Sequence, residues 1–109
     1  MTEAALLRAI RLEAPKLGCV LMRNNTGMLT DVRGNKVRFG LAVGSSDLIG
    51  WTNVNPTVSD ATFTAIEVKL PGKKPTREQA AFLAAVKAAG GIAGVAHSLE
   101  EFSQIIAGG

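Results

Sequence analysis

Apolar and polar positions along the chain change period several times, and each change marks an element. Between Glu3 and Ala14, the residues Ala4, Leu6, Leu7, Ile10 and Ala14 recur near helical spacing, and Pro15 and Gly18 end the run. Cys19 to Arg23 is a short apolar strand. Asn24, Asn25 and Gly27 interrupt it with a polar stretch. Asp31-Val32-Arg33-Gly34-Asn35 has turn composition, and Lys36 to Val43 returns as the partner of a hairpin. Gly44 to Gly50 is a tight segment bounded by glycines, and Asn53 to Asp60, with Pro56, reads as a loop. Thr62 to Leu70, rich in β-branched and aromatic residues, is the clearest strand, closed by Pro71-Gly72. A helix over Arg77 to Ala89 follows, with Thr76 as its N-cap and Gly90-Gly91 as its stop. Ile92 to His97 is a short buried strand, and Ser98-Leu99-Glu100-Glu101 has capping-box spacing and opens a last helix. The order α-β-β-β-α-β-α predicts an α/β fold, one domain over residues 1–109, with a central mixed sheet flanked by helices.

Composition narrows the class. Hydrophobic residues make up 47% and charged residues 19%, the balance of a globular domain. The one cysteine, Cys19, excludes an internal disulfide framework and fits a reducing cytoplasm. Glu3 and the lack of a long apolar core argue against a signal peptide, and no apolar run reaches membrane-span length. The net charge of +3 is uneven: residues 1–77 hold eleven of the twelve basic residues against six acids, whereas residues 78–109 hold Lys87 against Glu78, Glu100 and Glu101. Clustered basic residues suit a polyanion, although a solvated basic surface accounts for the same counts.

The candidate chemistry lies on the clearest strand. Side chains alternate across a strand, so Ile66, Val68 and Leu70 share one face while Phe63, Ala65, Glu67 and Lys69 share the other. Burying Glu67 and Lys69 among apolar neighbours costs several kcal/mol unless they are paired or bind an ion. An isolated Glu-x-Lys is most often a structural ion pair; Asp47 changes that balance. It stands in a glycine-flanked segment that a hairpin-like return brings beside Glu67. Two carboxylates and the Val68 backbone carbonyl form an all-oxygen site suited to Mg²⁺ or Mn²⁺, with Lys69 beside it to orient water or to stabilise charge on a phosphate.

Asp47 followed by Glu67-Val68-Lys69 resembles the PD-(D/E)XK nuclease signature. Arg23-Asn24-Asn25-Thr26-Gly27, Gly44-Ser45-Ser46-Asp47-Leu48-Ile49, Glu67-Val68-Lys69-Leu70-Pro71-Gly72 and Gln79 with Phe82-Leu83 resemble, in that order, the virus-type replication-repair nuclease (VRR-NUC) family. The resemblance covers nearly the whole chain. It implies a restriction-endonuclease-like αβββαβα core and metal-dependent hydrolysis of DNA phosphodiesters at four-way (Holliday) junctions or related repair intermediates. It further implies Asp47 and Glu67 as metal ligands, Lys69 as the catalytic lysine, and Gln79 as the glutamine beside the active strand. Gln79 also fits a capping box with Thr76, and Glu3 fits equally a further metal ligand and an acid favoured by the helix dipole. Ser46 departs from the family's frequent proline, which puts local rigidity rather than chemistry in question.

Arg23, Asn24, Asn25, Lys36, Arg38, Lys73 and Lys74 are the candidate DNA contacts. Stand-alone members of the family imply a two-fold homodimer on branched DNA in a bacterial or phage-infected cytoplasm. Met22, Met28, Leu29 and Trp51 are apolar residues available for such an interface. The rival reading is a non-catalytic branched-DNA-binding module on the same fold.

Other chemistries fit poorly. His97 is the single histidine, which leaves no histidine-based zinc site. Gly44-Ser45-Ser46-Asp47-Leu48 has leucine where a nucleophile elbow needs glycine. No phosphate-loop or dinucleotide-binding glycine motif occurs, and with 5% aromatic residues and no tyrosine the chain offers little base-stacking platform.

Overall fold

The computed structural model describes residues 1–55 and 57–108; Pro56, expected within the 53–60 loop, lies outside them. Helix α1 covers Glu3–Glu13, with the Thr2 hydroxyl accepting the Ala5 N–H at 3.1 Å as its N-cap. A single 3₁₀ turn over Ala14–Leu17 continues it and ends at Gly18. Strands β1 (Cys19–Arg23), β2 (Gly27–Thr30), β3 (Lys36–Phe39), β4 (Leu48–Thr52) and β5 (Thr62–Val68) follow, then α2 (Arg77–Ala88), β6 (Ile92–Ala96) and α3 (Leu99–Gly108).

The central sheet runs β1-β4-β5-β6. Its first two pairings are antiparallel, and β5 with β6 is parallel through the α2 crossover. This is the mixed sheet between helices that the sequence predicts, with one strand placed differently. No strand is expected over 48–52, yet β4 is central and pairs with both β1 and β5. Its Gly50 reads as a breaker in sequence, but it serves close packing: a Cβ there would overlap the Val20 carbonyl oxygen across the ladder. The expected strand from Lys36 to Val43 stops at Phe39 and joins β2 in a separate two-stranded sheet, a hairpin whose residues are almost all exposed.

Alternation along the strands sorts the core into two layers. Leu48, Ile66, Val68 and Ala96 meet Leu6 and Ile10 of α1 and Phe102 of α3, all buried on one face. Removing such a side chain, as in Phe102→Ala, costs about 3–5 kcal/mol. On the other face Ala65 and Ala93 meet Leu83 of α2, with Ile49, Phe82, Val86 and Val95 around them. Helix α2 covers only the β5–β6 half of that face. On the β1–β4 side Val20, Met22 and Trp51 remain exposed, as does Phe63 near the start of β5. Among the described residues no helix is long and apolar enough to cross a membrane.

Candidate active site

Glu67 occupies the α2 side of β5, one residue before the strand ends. Its neighbours on that face are apolar, and only 1% of its surface is exposed. Nothing donates to its Oε2, which is buried without a hydrogen-bond partner among the described residues. Burial first, and then the Asp47 carboxylate through a hydrogen bond and its charge, push the Glu67 carboxyl up to about 9. The Lys69 ammonium pulls the other way, and the Glu3 carboxylate adds the smallest upward push.

Asp47 immediately precedes β4, and the antiparallel register Leu48↔Ile66 brings it to the end of β5. Its Oδ2 accepts the Val68 N–H at 2.9 Å. The two acidic residues expected to work together are therefore brought together from positions far apart in the chain. Lys69 follows directly after the end of β5, half-buried, with its own N–H donating to the Ala96 carbonyl at 3.2 Å.

The segment carrying Asp47 is held on both sides. Gly44, at φ 85°, lies so close to the first turn of α2 that a Cβ would stand 2.6 Å from the Glu78 carbonyl carbon. The Ser46 side chain is fully buried, its hydroxyl donating to the Leu48 carbonyl at 2.9 Å. Hydrogen bonding thus supplies the rigidity that serine in place of proline had put in question. Glycine is needed at 44 because α2 comes this close, and that same contact sets the start of α2 next to the Asp47 segment.

The other expected site residues separate into groups. Gln79 forms the capping box with Thr76, accepting the Thr76 N–H on Oε1 at 2.8 Å while its own N–H donates to the Thr76 hydroxyl at 3.2 Å. That box uses Oε1 and leaves the Nε2 amide outside it. Glu3 lies exposed in the first turn of α1. It is felt at Glu67 as a charge, but among the described residues no group of three acidic, histidine or cysteine side chains is gathered to hold an ion. Arg23, Asn25, Lys36, Arg38, Lys73 and Lys74 are exposed, with Arg23 Nε donating to Asn25 Oδ1 at 2.8 Å.

Asn24 departs from the expected row of DNA contacts. It is half-buried and points inward, its Nδ2 donating to Ser45 Oγ at 2.8 Å and to the Ser46 carbonyl at 3.0 Å. Sequence reasoning groups it with its exposed neighbours because an Asn-Asn pair after a strand looks like the start of a loop. The nearby pair Ser45-Ser46, rich in acceptors, is the one hint of its bonding.

His97 lies just past β6 and is tied on three sides. Its N–H and its Nδ1 both meet Glu101 Oε1, at 3.1 and 2.8 Å, and its Nε2 lies 3.0 Å from the Lys73 carbonyl. The structural hydrogen bond expected of the single histidine is present, and it anchors the loop after β5 to α3. Ser98 caps α3 by accepting the Glu101 N–H at 3.1 Å. The Glu101 carboxylate turns to His97 instead of completing a box with Ser98. Cys19 is fully buried and its thiol is pushed up by that burial, as a core residue should be.

The donor set at Asp47 and Glu67 fits a hard divalent cation: both offer oxygen, and Glu67 Oε2 is a buried acceptor with no partner. The family model described as VRR-NUC domain matches residues 1–100 of the chain. No curated protein and no solved structure matches it.

Proposed function

The chain belongs to the VRR-NUC domain family, and a nuclease-type function follows from that membership; we propose that it is a Mg²⁺- or Mn²⁺-dependent endonuclease that hydrolyses phosphodiester bonds in branched DNA, four-way junctions among them. The observation that carries this reading is the buried Glu67, with an unpartnered oxygen, set beside Asp47. A carboxyl group kept in that state costs stability, and perturbed groups of this kind cluster at functional sites.

Asp47 and Glu67 would hold the cation, with the Val68 carbonyl as a third oxygen. When bound, a divalent cation polarises the phosphate and lowers the pKa of a water. The Lys69 ammonium, just past the end of β5 and two residues beyond Glu67, would then favour the negative charge that grows on the phosphate during attack. Gln79, through the amide left outside its capping box, is placed at the start of α2 to orient a water or a phosphate oxygen. Arg23, Asn25, Lys36, Arg38, Lys73 and Lys74 are free to follow the DNA backbone, where cations set register and affinity rather than sequence preference. We place the protein in the cytoplasm of a bacterial or phage-infected cell, working as a homodimer.

The test is incubation of the full chain with labelled duplex, flap, fork and four-way junction DNA in Mg²⁺, Mn²⁺, Ca²⁺ or EDTA. Cutting in Mg²⁺ or Mn²⁺, binding with little turnover in Ca²⁺, and silence in EDTA are expected, because Ca²⁺ accepts looser oxygen geometry. Full-rate cutting in EDTA would overturn the cation mechanism, and a preference for linear duplex would overturn the branched substrate.

A further inference from the structure

Asn24 donates three hydrogen bonds into the segment that carries Asp47. Its main-chain N–H donates to the Asp47 carbonyl at 2.8 Å, and its Nδ2 donates to Ser45 Oγ at 2.8 Å and the Ser46 carbonyl at 3.0 Å. We propose that Asn24 is a positioning residue for the Asp47 carboxylate, an inference that rests on the cation-dependent reading of the site.

The local geometry explains why one amide matters here. Asp47 sits in a short connection between Gly44 and β4, and ladder hydrogen bonds begin only at Leu48. Without further ties, the carboxylate would hang from backbone free to change its dihedral angles. Four contacts remove that freedom. Gly44 is wedged against Glu78, Ser46 Oγ bonds forward to the Leu48 carbonyl, and Asp47 Oδ2 takes the Val68 N–H. The fourth is Asn24, the one contact that reaches three consecutive residues, and it comes from the end of β1 on the side opposite β5. Asn24 and Val68 thus grip the Asp47 segment from two strands.

The same bonds account for its inward direction. Arg23 and Asn25 pair with each other on the surface, whereas the Asn24 amide spends both its protons inside. Asn24 also opens the connection to β2, so the tie that holds Asp47 fixes the root of the hairpin as well. A side chain that orients a metal ligand in this way typically changes metal affinity by about 10–100-fold when it is removed.

The experiment compares wild type, Asn24→Ala, Ser45→Ala and Asp47→Ala in four measurements: Mn²⁺ affinity of the DNA-free protein, DNA affinity in Ca²⁺, melting temperature, and kcat with KM on a junction. Asn24→Ala is expected to weaken Mn²⁺ binding by about 10–100-fold and to lower kcat, with KM and Ca²⁺-supported DNA affinity nearly unchanged. Ser45→Ala, which keeps the bonds to Ser46 and Asp47, should weaken Mn²⁺ binding less. If Asn24→Ala does not fold, Ser45→Ala carries the test, and wild-type Mn²⁺ affinity in that variant overturns the proposal. A folded Asn24→Ala with lowered melting temperature and wild-type Mn²⁺ affinity overturns it by showing a merely structural role. A loss confined to DNA affinity overturns it in favour of a DNA contact. Should wild type fail to take up Mn²⁺, or Asp47→Ala bind it equally well, the cation reading itself falls and this inference with it.

Discussion

The Val68 N–H donates to Asp47 Oδ2 at 2.9 Å, tying the residue that precedes β4 to the strand that carries Glu67. The bond orients one carboxylate oxygen toward the main chain of β5, next to the buried Glu67 side chain. It explains how two acids twenty positions apart come to share one electrostatic environment, in which the Asp47 carboxylate disfavours charge on Glu67.

Alanine at Asp47, Glu67 or Lys69 should therefore lower cleavage by at least about 100-fold, the scale lost when one group that stabilises transition-state charge is removed. The stability effects should diverge. Glu67→Gln removes a buried carboxyl at constant shape and should raise the melting temperature of the metal-free protein. Asp47→Ala relieves the same repulsion but strands the Val68 N–H, at about 1–3 kcal/mol, so its net effect should be near zero or negative. Rates on junction DNA and thermal melts in EDTA check both halves. A variant that cuts at the wild-type rate would remove that residue from the mechanism.

Much of this arrangement is legible in the sequence, for identifiable reasons. Strand alternation places Glu67 on the face opposite Ile66 and Val68, and the capping box at Thr76-x-x-Gln79 fixes the start of α2, although β5 ends at Val68, two residues short of the expected Leu70. Strand β4 is not legible. Leu48 to Thr52 is short, holds a glycine and begins directly after a catalytic-looking loop, and only the close approach of β1 shows why glycine belongs there. Asn24 is hidden for a related reason: its partners are a hydroxyl and two carbonyls more than twenty residues away, and no local pattern encodes them.

The pH dependence of stability follows from Glu67, whose folded value of about 9 stands above its ordinary 4.5. Below about 4.5 the group is protonated in both states and contributes no difference. Between the two values the folded chain holds a proton that the unfolded chain has released, so stability falls as pH rises, by at most about 1.4 kcal/mol per unit. Melting in EDTA from pH 5 to 8 should show wild type losing ground steadily to Glu67→Gln; parallel curves would contradict the shift. A cation that needs the ionised carboxylate displaces that proton, so Mg²⁺ affinity should rise over the same range.

His97 predicts a second dependence, of the same sign above pH 6.5 but with a different cause. Both its ring partners, the Glu101 carboxylate and the Lys73 carbonyl, are acceptors, so only the doubly protonated ring satisfies both. The Glu101 hydrogen bond, then the Lys73 carbonyl, raises the His97 pKa above 6.5, and the His97 bonds lower that of Glu101 below 4.5. The raised histidine contributes stability below its unfolded value and loses it as pH climbs through the folded value. The lowered glutamate contributes above 4.5 and loses it as pH falls through its folded value. The pair is therefore worth most between about pH 4.5 and 6.5. His97→Gln, which donates from a single amide, should flatten the melting-temperature profile across pH 5 to 8 on the Glu67→Gln background, where the larger titration is absent. An unchanged profile would show that the ring contributes by shape alone.

The exposed face of the central sheet bears on assembly. Cross-strand register sets Val20 beside Trp51 and Trp51 beside Phe63, and all three are exposed, with Met22 exposed along the same face of β1. The apolar residues expected to be available for an interface, Met22, Met28, Leu29 and Trp51, are all on the surface. Apolar side chains that share a sheet face in this way form the kind of patch that soluble proteins usually cover. A stable dimer hides on the order of 800 Å² per partner. Four side chains fall short of that, so the apolar flank of the β2–β3 hairpin, where Leu29, Val37 and Phe39 share a face, should join the interface. A two-fold pair of this kind would present two identical sites to a substrate that is itself two-fold. Light scattering at micromolar concentration should therefore give about twice the 11.4 kDa chain mass. Trp51→Glu should give the single-chain mass, keep Mn²⁺ binding, and lose paired incision of opposed junction strands while still nicking single ones. A wild-type chain that runs as a monomer and cuts flaps as readily as junctions would remove the dimer and the junction preference, leaving the assignment of Asp47, Glu67 and Lys69 intact.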